Sequence, residues 1–93
     1  MPTVVDGEYE WAEAKAASNL LKHGVAFEEA KTVFTDAAAI VFADALNPNH
    51  SITLGFSVRA RVLYVVTTEA ADRTRIISAR RATAAEHRLY HEE

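Results

Sequence analysis

Apolar positions along the chain repeat first at helical spacing and then, beyond Asp36, at strand spacing. WAEAKAASNLLKHG, residues 11 to 24, is rich in helix formers and closes on Lys22-His23-Gly24: basic residues in a last turn, then the residue best suited to a left-handed cap. A helix is expected over Ala12 to His23, with Ala16, Leu20 and Leu21 toward the core and Lys15 and Lys22 toward solvent. Phe27, Ala30, Val33 and Phe34 predict a second helix, roughly Ala26 to Phe34, so that the two form a helical hairpin. Tyr9 and Trp11 read as a short first strand or an extended lead-in.

After Asp36 come segments of strand length: AIVFA at 39 to 43, SITLGFS at 51 to 57, RVLYVVTTE at 61 to 69 and RTRIISARR at 73 to 81, with Asn47-Pro48-Asn49 as the first turn. The run from Val62 to Val66 is apolar on both faces, which places that strand centrally. Thr83 with Glu86 three residues on is a capping box, and Leu89 and Tyr90 give the last helix its apolar edge. The expected fold is α+β, an N-terminal helical hairpin and a C-terminal helix packed on a four-stranded antiparallel sheet, in a single domain over residues 1–93.

Composition narrows the function classes. The chain has 93 residues, 49% hydrophobic and 25% charged, which fits one modest core. No window approaches the ~18 consecutive apolar residues of a membrane span, and MPTVVDGEYEW lacks the basic and apolar regions of a signal peptide, so a cytoplasmic protein with no membrane partner is expected. There is no cysteine, which removes disulfides, thiol chemistry and cysteine-ligated zinc. GxGxxG, P-loop, HExxH and GxSxG motifs are all missing, and no cofactor or metal is expected. His87 and His91 stand at i, i+4, a spacing that can hold a metal, but solvated side chains are expected there.

The net charge of −3 is unevenly spread. Residues 1 to 45 carry three lysines against eight acids, a net of −5, and residues 46 to 93 carry seven arginines against five acids, a net of +2. The guanidinium fork suits phosphate, so the second half is the one expected to face anions. Strand alternation puts Arg75, Ile77, Ala79 and Arg81 on one face and Ile76, Ser78 and Arg80 on the other. His23 has two readings: a cation favoured by a helix C-terminus, or a group for proton transfer or phosphate contact, since imidazole as a class titrates near neutral pH.

WAEAKAASNLLKHGVAFEEAKTVFTD, residues 11 to 36, together with RIISARRATAAEHRLY, residues 75 to 90, resembles the BrnT family of type II toxins. The pieces that carry the likeness are Trp11, Lys15, Asn19, Lys22-His23-Gly24, Phe27-Glu28-Glu29-Ala30, Phe34 and Arg75 to Arg80 leading into Ala82-Thr83, Glu86 and Tyr90. The resemblance implies a compact RelE-like fold, a ribonuclease activity that arrests translation, a BrnA-type ribbon-helix-helix antitoxin as partner, and DNA contact only through that complex. Metal-free RNA cleavage needs the 2′-hydroxyl deprotonated, the leaving 5′-oxygen protonated and the phosphorane charge stabilised. The expected catalytic residues are accordingly Arg61 and Arg80 on the phosphate with His23 or Glu69 as proton carrier, and Lys22, Arg75 and Arg81 are expected to bind RNA.

The chain departs from the family pattern at two places. An acidic loop carrying an arginine is absent between His50 and Ile52, and Thr67 and Ala70 stand where members often carry a His and an Arg. An alternative expectation is a catalytically weakened member that acts as an antitoxin-binding module in an autoregulatory complex, with Phe56, Tyr64 and Leu89 in the docking groove.

Overall fold

The computed structural model describes residues 2–92. Two strands open the chain, β1 (Thr3–Asp6) and β2 (Tyr9–Ala12); α1 (Glu13–His23) follows β2 directly, and α2 (Phe27–Ala30) passes into a 3-10 segment, Lys31–Thr35. β3 (Ile40–Ala43), β4 (Ser51–Phe56), β5 (Val62–Ala70) and β6 (Arg73–Arg81) then lead to α3 (Ala84–His91). The strands make one six-stranded sheet in the order β1-β2-β6-β5-β4-β3, antiparallel throughout except where β2 runs parallel to β6.

The expected four-stranded antiparallel sheet is thus corrected to a six-stranded mixed one. A two-residue Gly7-Glu8 turn, with Gly7 at φ 61°, folds TVVD back on YEWA, and β2 then covers what would otherwise be an open edge of β6. The expected helical hairpin is corrected as well, because α2 is a single turn. The following KTVFT holds three β-branched residues in five, and the Thr32 and Thr35 hydroxyls donate to the carbonyls of Glu29 (2.6 Å) and Thr32 (2.8 Å), competing with α-helical bonding. Phe27, Ala30 and Val33 are nevertheless fully buried, since a spacing of three also keeps one face in a 3-10 turn.

One side of the sheet carries the main core: Trp11, Phe27, Ala30, Val33, Leu63, Val65, Ile76 and Ala79, with Trp11 edge-on to Phe27 at 6.0 Å. Gly55 lies on this side, where a Cβ would meet the Val33 Cβ at 2.7 Å, so the 3-10 segment rests directly on β4 backbone. By cross-strand register Ile52, Leu54 and Val62 belong to the opposite side, the one α3 covers. Burying a side chain of this size contributes about 1.5–3 kcal/mol, and β5, between β6 and β4, does so on both faces.

α1 does not pack as expected. Leu20 and Leu21 are 51% and 91% exposed, and its buried residue is Asn19, at 6%. The helix lies against the free backbone edge of β6, which needs hydrogen-bonding groups and not methyls. The strand alternation is also corrected. Val66 pairs with Ser78 but Thr67 pairs with Ile76, which leaves Ile77 as an extra residue in a β-bulge. The bulge reverses the parity of β6, so Arg73 and Arg75 share a face with Ser78 and Arg80, and Arg81 lies on the other.

Candidate functional site

β2 pairs with β6 only as far as Arg75, and α1 takes over alongside the rest of the strand. The Asn19 amide stands in for a neighbouring strand there: its nitrogen donates to the Ala79 carbonyl (2.7 Å) and the Val25 carbonyl (2.9 Å), and its oxygen accepts from the Ala79 N–H (3.1 Å). At the C-terminus of the helix, Gly24 at φ 68° closes the last turn with its N–H on the Leu20 carbonyl at 2.9 Å. Beside this clamp, Lys15, Ser18, Asn19, Lys22 and His23 face Ile77 and Ser78 across an open pocket of about 210 Å³. Lys15 and Lys22 form no ion pair among the described residues. Two helical turns separate them, ~10 Å along the axis, so the pocket presents two unneutralised ammonium groups with an imidazole at one end.

The arginines are in a different condition. Arg61 donates from Nε to Glu29 (3.0 Å) and from its terminal nitrogen to the second Glu29 oxygen and to the Gly24 carbonyl (3.1 Å). Ser57 donates to the same carboxylate at 2.7 Å. Burial pushes the Glu29 carboxyl up, but the hydrogen bonds from Arg61 and Ser57 outweigh it and hold the group below its ordinary value. Arg80 forms a two-pronged pair with Glu86 (2.8 and 2.9 Å) and stacks 3.9 Å over the Tyr64 ring. Those bonds raise the guanidinium and lower the carboxyl. Arg75 is held by Glu10 at 2.5 Å.

Of the residues expected to act, Lys22 and His23 line the pocket, and the Arg61 guanidinium reaches the carbonyl of Gly24, next to His23. Arg81 is exposed on the α1 side, two residues beyond Ala79. Arg75 and Arg80 lie on the other face. Glu69 is exposed opposite Thr74, three strand positions beyond the partner of Ser78 and so ~10 Å away along β5. The four expected catalytic groups therefore do not converge on one point. Lys15, Ser18 and Asn19 were not among the expected site residues, although Lys15, Asn19 and Lys22 fall at i, i+4 and i+7, a single stripe of α1.

A family profile described as "Ribonuclease toxin, BrnT, of type II toxin-antitoxin system" matches residues 11–86, most of the chain. The chain belongs to the BrnT family. It is thereby a member of a family of ribonuclease toxins of type II toxin–antitoxin systems, and that class implies an antitoxin partner. The crystal structure of the Brucella abortus ribonuclease toxin BrnT superimposes with a TM-score of 0.65 at 22% identity, covering 78% of this chain and 92% of that one. At that identity the likeness is one of fold. The comparison with curated protein sequences found no match. Within this BrnT chain the matched span contains the whole pocket, from Lys15 to Ser78, and ends at Glu86, the partner of Arg80. Among the described residues no helix is long and apolar enough to cross a membrane.

Proposed function

We propose that this BrnT protein is a metal-independent endoribonuclease that binds RNA in the groove between α1 and β6, arrests translation in the cytoplasm and is neutralised by a BrnA-type antitoxin, with DNA contacted only through that complex. The supporting observation is the pocket itself, where Lys15 and Lys22, without an ionic partner among the described residues, and the exposed His23 face Ser78 at the bulge. Lys15 and Lys22 neutralise backbone phosphates. His23 moves the proton between the 2′-hydroxyl and the leaving 5′-oxygen, and Lys22 stabilises charge on the phosphorane. Arg81, on the α1 side, extends the cationic track, and Arg61 holds the Gly24 carbonyl and with it the end of α1. Glu69 has no place in this arrangement.

The test is RNA cleavage by the purified protein in EDTA, compared with His23→Ala and Lys22→Ala. Cleavage is expected from the parent, with kcat lower by about 10²-fold or more in His23→Ala and KM raised in Lys22→Ala. Full activity in both variants removes the groove from the reaction. No cleavage by the parent would favour the second reading, a weakened toxin that serves as an antitoxin-binding module. That reading draws on Phe42, Phe56 and Leu89, which are 37%, 44% and 42% exposed on the side bearing α3.

A further inference from the structure

Arg80 has the features of an anion subsite whose place is already taken. Its planar fork meets both oxygens of Glu86 at 2.8 and 2.9 Å, the two-oxygen geometry in which a guanidinium also grips a phosphodiester. The guanidinium carbon sits 3.9 Å over the half-buried Tyr64 ring, a cation–π contact that holds the fork in place. Ser78, which lines the α1 pocket, is two residues earlier on β6 and on the same face, ~7 Å away along the strand. Neither partner is deeply buried: the Arg80 and Glu86 side chains are 34% and 22% exposed, open enough for solvent or a ligand to compete.

Glu86 is not required to be charged by its other duty. It closes the capping box of α3 by accepting from the Thr83 N–H at 2.9 Å, and glutamine serves that position as well as glutamate does. Beyond its favourable interaction with the N-terminal end of the α3 dipole, a carboxylate at this spot neutralises Arg80, which an amide would not.

We infer that Arg80, held over Tyr64, forms a second phosphate subsite for single-stranded RNA, adjoining the α1 pocket, and that Glu86 occupies it in cis as an internal competitor. The subsite rests on the reading that RNA runs through the α1–β6 groove. RNA binds it in the fraction of molecules whose Arg80–Glu86 pair is open, and apparent affinity is reduced by that fraction.

The test is a double-mutant cycle read by binding of a short fluorescent 2′-O-methyl RNA, which cannot be cleaved, to the purified full chain. Glu86→Gln keeps the cap and is expected to tighten binding about threefold to tenfold. In an Arg80→Ala background the same change is expected to shift affinity less than about twofold, which separates release of Arg80 from the general effect of removing a negative charge. Equal tightening in both backgrounds, or none in either, overturns the proposal. Lys22→Ala run in parallel keeps the two ideas apart: weaker binding by Lys22→Ala with no gain from Glu86→Gln leaves the groove standing and removes the subsite, and unchanged binding by Lys22→Ala removes the groove. Thermal unfolding of each variant confirms that it is folded.

Discussion

On the α1 side of β6, Lys15 and Lys22 have no ionic partner among the described residues, whereas on the α3 side Arg75 is held by Glu10 and Arg80 by Glu86. All four are cations, yet the two lysines display their charge and the two arginines have theirs neutralised. The half of the sequence with a net charge of +2 supplies the engaged arginines, and the half at −5 supplies the free lysines. The sign of a segment is therefore a poor guide to where a polyanion will sit. What matters is which acids the fold places within hydrogen-bonding reach of each cation.

The harshest test of this contrast is Arg61→Ala. It strands the Glu29 carboxylate, whose side chain is only 4% exposed, and removing one partner of so buried a pair is expected to cost about 3 kcal/mol or more in urea unfolding. A loss below about 1 kcal/mol, the range of exposed pairs, accompanied by loss of RNA cleavage, would move Arg61 from the engaged group to the available one. Asn19→Ala comes next. It leaves the Ala79 N–H and the Ala79 and Val25 carbonyls without their side-chain partner, which is expected to cost about 2 kcal/mol. Cleavage should fall as well, because the clamp sets the distance between α1 and the bulge; a variant with unchanged stability would show that the helix is held by something else.

The smallest effect is with pH, and its sign follows from the direction of each shift. The Glu86 carboxyl is held down by Arg80, the Asp36 carboxyl by the Tyr90 hydroxyl, and Glu29 by the bonds that outweigh its burial. Each is depressed in the folded protein, so its stabilisation is complete above the ordinary carboxylate value near about pH 4 and is lost as pH falls through the folded value. Tyr90 shifts the other way, raised to about 12 by its bond to Asp36, so its contribution is whole below the ordinary tyrosine value of 10.0 and is lost as pH climbs toward 12. Unfolding free energy should be flat across neutral pH and decline at both ends. Tyr90→Phe should remove part of the alkaline decline, and an unaltered alkaline limb would exclude this bond as its source.

Part of the fold was legible because its signals are local. The stop of α1 at Gly24, the Thr83 capping box and the strands from Ser51 to Arg81 depend on residues within a few positions of one another. So does the first hairpin, whose Gly7-Glu8 turn, with glycine at the first loop position, is a local signal between two short runs, although the expected sheet began only after Asp36. The candidate site was legible in part. Lys22 and His23 were placed in it on family likeness, and Lys15 and Asn19 share their helical stripe, but nothing in the residues around Asn19 announces that its amide will replace a strand neighbour 60 residues away.

By itself, then, the sequence determined the family, the kinds of element and most of their limits, because helix caps, turns and apolar periodicity act over a handful of residues. Tertiary structure alone decided which cations are free and which face each arginine takes. Arg61 finds Glu29 at a separation of 32 residues and Arg75 finds Glu10 at 65, and the bulge at Ile77 exists only in the pairing of β6 with β5. Alternation along a strand carries side-chain direction forward only until cross-strand pairing inserts a residue. Beyond that point the partner strand, and not the local sequence, sets where a side chain aims.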